Sequence, residues 1–380
     1  MTILFTTDNY LPATNGVVTQ VKAIKEELER RGHRVIVVAP KYGKHPPEVD
    51  VFRLASTGMP QRPGDRLVFP FNKRVEMELL KMPIDIFHNH LGLTGLLGKR
   101  IAIRKRLPKV ATLHTLFSQV GHWIFPQLAF AVDPIADYVA RAAFKNYDMI
   151  IAPSQRAADS LVKAKVKSPT KIIPNGINLD VFKKASGEMF RREFAIDRKK
   201  RLLVIVGKLD PGKNVDLAIL AIERIRGEAP DVQLAIIGDG ILRDKLQGLI
   251  DRLNLNDIVI ITGFLEYQMV ASAYAAAEIA LMLSDIDTFS AVLIEAAASG
   301  RPVIALKDKS VSEVVKDGKN GILTVKEPGA VAKAIIKLLE NPKLLRQYGK
   351  ANLKIAESFS IKSYVDQLED LYKGLIKSRK

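Results

Sequence analysis

Apolar positions recur along the chain in two alternating rhythms. Ile3–Thr6 is a short apolar run, DNYLPATNG is polar, Val18, Val21, Ile24 and Leu28 return every three or four residues, and Arg34–Val38 is again unbroken. That spacing predicts a strand, a helix with one buried face and a second strand, the strands parallel because a helical crossover joins them. Further strands are predicted at Ile84–Phe87, Lys109–Leu113, Met149–Ala152 and Lys171–Ile173. The pattern restarts with strands at Leu202–Val206, Gln233–Ile237, Ile258–Ile261, Ile279–Leu283 and Pro302–Leu306. Helices are predicted between them at Val215–Arg226, Ile241–Leu253 and Gln268–Ala276. Strands separated by helices predict an α/β protein of two doubly wound parallel sheets in tandem.

The boundaries follow from composition. Residues 1–182 form a first domain, the polar and basic stretch 183–200 reads as a linker, and 201–359 form a second domain. Ser360 is an N-cap candidate for a last helix, 360–380, with Ile361, Tyr364, Val365, Leu368, Leu371, Tyr372 and Leu375 on one apolar stripe. Such a face must dock, either on its own domain or back on the first.

Totals narrow the classes. At 380 residues the chain exceeds one ordinary core, and 47% hydrophobic with 26% charged residues is a globular balance. Without cysteine there are no disulfides or thiolate metal sites, which suits the cytoplasm. Met1 leads almost directly into a strand, so no signal peptide is expected. No apolar run suffices to cross a bilayer; Trp123–Val132 is already broken by Pro126 and Gln127. Residues 1–182 carry 26 basic and 15 acidic side chains, the remainder 32 and 26. A basic front half suits an anionic membrane, an anionic substrate, nucleic acid, or simply a lysine-enriched surface. The basic residues are scattered and no recognition motif accompanies them, which argues against nucleic acid. No G-x-G-x-x-G opens a helix after Ile3–Thr6 or Leu202–Val206, which argues against a nicotinamide dehydrogenase.

Three strand-end loops carry candidate chemistry. TNGVV places Gly16 where the first helix begins, so amides and the positive end of the helix dipole can meet an anion, although Asn-Gly there is also an ordinary cap. VGKLDPGKN brings Lys208 and Lys213 to one opening, as a diphosphate requires; solvated lysines around a Pro-Gly turn are the plainer reading. SDIDTFSAVLIEAAASG sets the amides of Thr288, Phe289, Ser290 and Ala291 at a helix start, with Asp287 before them. Glu295 follows within an otherwise apolar helix, where a carboxylate can accept both hydroxyls of a ribose.

Together these stretches resemble the retaining glycosyltransferases of family 4, which have the GT-B architecture. The likeness runs from Ile3 to the C-terminal helix and rests on TNGVV, ATLHT, APSQRAADSL, IIPNGINLDVF, VGKLDPGKN, IIGDG, TGFLEYQMVASAYAAAEIAL and DTFSAVLIEAAASGRPVIA, in the family's order. It implies two Rossmann-like domains facing across a cleft, the last helix crossing back to the first, and no metal or cofactor beyond a nucleotide-sugar substrate. It implies that Glu295 binds the ribose hydroxyls, that Asp287 replaces a Glu on the sugar ring, and that Lys213 and Lys208 neutralise the leaving diphosphate. Backbone near Phe264 then meets the base, His114 lies near the donor sugar, and Gly16 approaches its phosphate. The chain departs from the family where Asp287 is one methylene short, where Thr288 and Ser290 replace common glycines, and where Lys208 replaces an arginine and its planar fork.

The acceptor side is less determined. PGDRLVFPFNKRVEMELLK and LLGKRIAIRKRLPK mix basic with apolar residues, and HTLFSQVGHWIFPQLAF adds aromatic ones. Arg66, Lys73, Arg74, Phe117 and Trp123 are the candidates for an acceptor or membrane face; core packing and solvated charge are the alternative. The resemblance is nearest the branch that glucosylates diacylglycerol at the cytoplasmic membrane face, with UDP-glucose the favoured donor. Phosphatidylinositol mannosyltransferases using GDP-mannose, enzymes with soluble sugar acceptors, and a degenerate nucleotide-sugar binder are the alternatives. His88 and His90 in FHNHLGL are candidates for the acceptor side, but i, i+2 histidines are not by themselves a metal site.

Overall fold

Runs rich in Val and Ile become strands because β-branched side chains crowd a helix yet pack well on a pleated sheet covered on both faces. The computed structural model describes residues 1–13, 15–43, 48–59, 62–90, 92–114, 129–286, 291–308 and 310–379. The chain forms two units, Met1–Gly176 with Ile361–Lys380, and Ile177–Ser360.

In the first unit the strands are β1 (Thr2–Thr6), β2 (Arg34–Pro40), β3 (Val51–Leu54), the hairpin β4 (Ser56–Met59) and β5 (Arg62–Val68), β6 (Ile86–Asn89), β7 (Lys109–Thr112), β8 (Met149–Ala152) and β9 (Thr170–Ile172). Seven of them form a sheet in the order β3-β2-β1-β6-β7-β8-β9, every pair parallel. The second unit holds β10 (Arg201–Val206), β11 (Val232–Ile237), β12 (Val259–Gly263), β13 (Ile279–Met282), β14 (Val303–Leu306) and β15 (Gly321–Thr324), ordered β12-β11-β10-β13-β14-β15 and again all parallel. Each sheet has its strand order reverse beside its first strand, at β1/β6 and at β10/β13. Strand-end loops diverge there and leave a crevice.

Each sheet is buried on both faces by helices, giving two apolar cores per unit. On one face of the first sheet, Tyr364, Val365, Leu368, Leu371 and Tyr372 of the helix Ile361–Lys377 pack with Ile3, Phe5, Val35 and Val37. The last helix therefore docks on the first unit. A fully buried side chain of this size stabilises by about 1.5–3 kcal/mol. Arg31 with Asp366 (2.6 Å) and His33 with Glu369 (2.9 Å) pin the helix edge.

Two boundaries differ from the sequence reading. The units divide at 176/177 and 360/361, and the stretch 183–200 is folded into the second unit rather than linking. Helices Leu179–Lys183 and Glu188–Glu193 occupy it and its approach, and their Phe182 and Phe190 are buried beside Tyr274 and Leu202. Polar neighbours masked those two anchors. Strand β6 begins two residues later than expected, because pairing with β1 starts at Ile86 opposite Ile3.

Candidate functional site

The crevice at β10/β13 is built from crossing backbones. Gly238 has φ +140°, and a Cβ there would lie 1.9 Å from the carbonyl oxygen of Gly207, so only glycine lets the ends of β10 and β11 approach. The loop 207–214 then carries Lys208 and Lys213 away from the sheet. Asn214 takes the left-handed conformation (φ 51°) and donates its Nδ2 to the Leu283 carbonyl at 2.8 Å. Asp285 N donates to the Gly212 carbonyl at 3.1 Å. The loops after β10 and β13 are thereby stitched together.

Between them lies a small depression lined by Gly207, Lys208, Leu209 and Lys213 on one side and by Leu283, Ser284 and Val292 on the other. Lys208 is exposed and Lys213 half-buried. Two lysines on one strand-end loop at a topological switch point suit a diphosphate.

Glu295 sits one turn beyond Val292 on the helix Ala291–Ala298 and is only 8% exposed. Burial pushes its carboxyl up to about 7. Its charge reaches Tyr274, whose hydroxyl is held well above its ordinary value by burial first and Glu295 second. Among the described residues, no hydrogen bond or ion pair is made by the Glu295 carboxylate. Ala291 opens this helix as expected. Asp287, Thr288, Phe289 and Ser290 lie outside the described residues, as do Phe117 and Trp123. Phe264, just past β12, is 59% exposed and so presents a ring and backbone to solvent.

In the first unit, Gly16 begins the helix Gly16–Arg30, and the Asn15 side chain accepts from Val18 N at 3.0 Å. That cap leaves the first helical amides, Gly16 among them, on the open side, and a Cβ on Gly16 would meet nothing. Strands β6 and β7 bring three histidines into a column. His88 stacks on His90 (centroids 4.2 Å) and His90 on His114 (5.4 Å), with His90 Nδ1 3.1 Å from His114 Nε2. Burial lowers His114 to about 4 and His88 to about 3, so both are neutral at physiological pH. His88 does not line an open acceptor surface: it is enclosed, bonded to Thr112 Oγ1 (2.7 Å) and Tyr372 Oη (2.5 Å). Nor is His90 accessible.

The basic candidates divide. Arg66 is engaged within the hairpin, donating to Ser56 Oγ at 2.7 Å and lying 5.3 Å over the Tyr42 ring. Lys73 and Arg74 are exposed at the start of the helix Lys73–Lys81, beside Phe69 and Phe71, which are 55% and 68% exposed. Asn214 and Tyr372 were the contributors that sequence reasoning missed. The Asn-after-Lys in GKN was a legible cue for a left-handed residue; the partner of Tyr372, 284 positions away, had none.

The alpha-monoglucosyldiacylglycerol synthase of Acholeplasma laidlawii is 30% identical over 381 residues, covering 97% of this chain and 95% of that one. The chain belongs to glycosyltransferase family 4. Two family models match it in tandem, "Glycosyltransferase Family 4" over residues 14–181 and "Glycosyl transferases group 1" over 187–355. A second relative with the same name, from Streptococcus pneumoniae, is 28% identical over 342 residues, covering 87% of this chain and 77% of that one. Among solved structures, Anabaena HepE in complex with UDP and glucose superposes with a TM-score of 0.79 at 20% identity, covering 98% of this chain and all of that one. That likeness places the fold: as a family 4 protein with GT-B architecture, the chain is a glycosyltransferase.

Proposed function

We propose that the protein is a retaining, metal-independent hexosyltransferase that moves glucose from UDP-glucose to diacylglycerol on the inner face of an anionic membrane. The observation that carries the reading is the two-lysine pocket at β10/β13 with the buried Glu295 one turn behind it. It is supported by relatives named for diacylglycerol glucosylation and by a fold neighbour holding UDP and glucose.

In this reading Lys208 and Lys213 hold the diphosphate, and Glu295, ionised once donor binds, accepts the ribose hydroxyls. Phe264 and its backbone meet the base, and in the first unit Gly16 and His114 are the candidates for substrate contact. The anomeric C–O bond to the β-phosphate breaks, the acceptor hydroxyl oxygen bonds to the same face of that carbon, and its proton passes to the departing phosphate oxygen. The lysines offset the charge that develops there, the part a divalent cation plays elsewhere. No helix among the described residues is long and apolar enough to cross a membrane. Phe69, Phe71, Lys73 and Arg74 supply the mixed apolar and cationic surface that a peripheral protein rests on anionic lipid.

The test is product formation with UDP-glucose, UDP-galactose and GDP-mannose, with and without diacylglycerol in anionic vesicles, each repeated in EDTA. An EDTA-insensitive α-glucosyl lipid is the expected product. A mannosylated inositol lipid would replace both donor and acceptor in this reading, and nucleotide-sugar binding without turnover would make the protein a degenerate member.

A further inference from the structure

We propose that His90 is a positioning residue that fixes the tautomer of His114, so that His114 holds its single proton on Nδ1 and is left a neutral N–H donor there. The inference rests on the proposed reading of His114 as a substrate-contacting histidine and adds what sets its hydrogen-bonding sense.

The starting point is the alternation of side chains along β6, which puts His88 and His90 on one face. Pairing of His88 with Val110 in β7 carries the same face on to Thr112 and His114. The lower end of the column is rigid. Both nitrogens of His88 are occupied, by Thr112 and by Tyr372, and Phe5 packs edge-on against His88 and His90 with centroids at 5.5 and 4.6 Å. His90 stacks on that fixed ring, so its Nδ1 has a defined direction, and at 3.1 Å it meets His114 Nε2.

Two neutral imidazoles sharing one hydrogen bond have two proton arrangements. If His114 donates from Nε2, His90 must accept at Nδ1 and carry its own proton on Nε2. That Nε2 is fully enclosed and has no hydrogen-bond partner among the described residues. The arrangement therefore strands an N–H in the interior, and an orphaned buried donor is rarer than an under-satisfied acceptor and incurs its full desolvation penalty. If His90 donates from Nδ1, its Nε2 keeps only a lone pair, and His114 Nε2 accepts. His114 must then hold its single proton on Nδ1, the nitrogen that His90 does not use. Doubly protonated His114 would force the stranded arrangement as well, so the same contact keeps the ring neutral. A neutral N–H donor orients a sugar hydroxyl without setting a full positive charge beside an oxocarbenium-like carbon.

The experiment is nitrogen–proton correlation NMR on the full chain labelled with 15N-histidine, at pH 7.5, with signals assigned through His90→Asn and His114→Asn. Both His90 and His114 are expected to be protonated at Nδ1 and bare at Nε2. A proton on His114 Nε2 overturns the proposal. Kinetics adds an independent arm. The amide of Asn occupies the place of an imidazole Nδ1, so His90→Asn should keep kcat within about threefold, whereas His90→Leu should lose roughly tenfold or more in kcat with little change in donor KM. Equal losses in the two variants would mean that His90 only fills space, and would sink the idea. If neither variant folds, the wild-type spectrum decides. An Nδ1–H tautomer in a protein that turns over no nucleotide sugar would instead count against the proposed function and leave the His90–His114 pairing standing.

Discussion

Glu295, the proposed ribose contact, is carried at a cost to the fold. Its carboxyl is raised from an ordinary value near 4.5 to about 7, so the folded state holds a proton that the unfolded chain has released. Stability from this group is fully present below pH 4.5, falls as pH rises toward 7, and is flat above; the loss is on the order of 3 kcal/mol at most. Glu295→Gln should therefore raise the denaturant midpoint at pH 8 and hardly change it at pH 4. It should also abolish the tightening of donor binding, and the proton release, that wild type is expected to show as pH climbs through 7; calorimetry in buffers of different ionisation heat reads both. Initial-rate assays of Glu295→Ala and Lys213→Ala should each show a loss of 10²-fold or more, the scale of a charged contact removed from a transition state. At this scale the sequence was informative about identity and poor about environment. A lone carboxylate in an apolar helix and two lysines on one loop could be read directly. That His88 would be enclosed depended on a partner distant in the chain, and that Arg66 would be spent on its own hairpin depended on a strand pairing that the pattern did not show.

Loops and helices decide how well those residues are held. The lysine loop owes its shape to Asn214, whose left-handed backbone and Nδ2 bond to Leu283 tie it to the other side of the pocket. Asn214→Gly keeps the backbone freedom and removes the tether, so the expected result is a donor KM raised by roughly tenfold, one hydrogen bond's worth, with the melting temperature moved only a few degrees. A change confined to melting would show the tether to be structural. The repeating strand–helix units were legible because unbroken apolar runs and a period of 3.6 leave different prints in the same alphabet. The misread stretch, 183–200, shows the limit of that signal. A five- and a six-residue helix bury one large ring each, too little periodicity to stand out from the basic residues around them.

For the whole molecule, charge is the property that reaches furthest. The excess of basic residues is concentrated in residues 1–182, and Phe69 and Phe71 project beside Lys73 and Arg74 in that part. Cosedimentation with vesicles should rise with the fraction of anionic lipid and fall between low and 0.5 M salt. Replacing Phe69 and Phe71 together by Ser should weaken it about tenfold or more, while leaving binding of soluble nucleotide sugar intact. Retention of vesicle binding in that double variant would move the membrane face elsewhere. The doubly wound class could be read from the strand spacing, and the break at Ser360 from the N-cap before the last apolar stripe; the stripe itself did not say which unit it covers, since a contact between residues more than three hundred positions apart leaves no local mark.

That division has a temporal side. The first unit is interrupted in the chain by the second, and one of its two cores lacks Tyr364, Val365, Leu368 and Tyr372 until the ribosome has passed residue 372. During synthesis the unit that begins first is completed last: its sheet waits with an uncovered greasy face, and His88 waits for its phenol, while Ile177–Ser360 emerges as an uninterrupted stretch. A nascent chain halted just short of the last helix would carry the two-lysine pocket complete and the other half unfinished, a natural client for chaperones and a poor candidate for release.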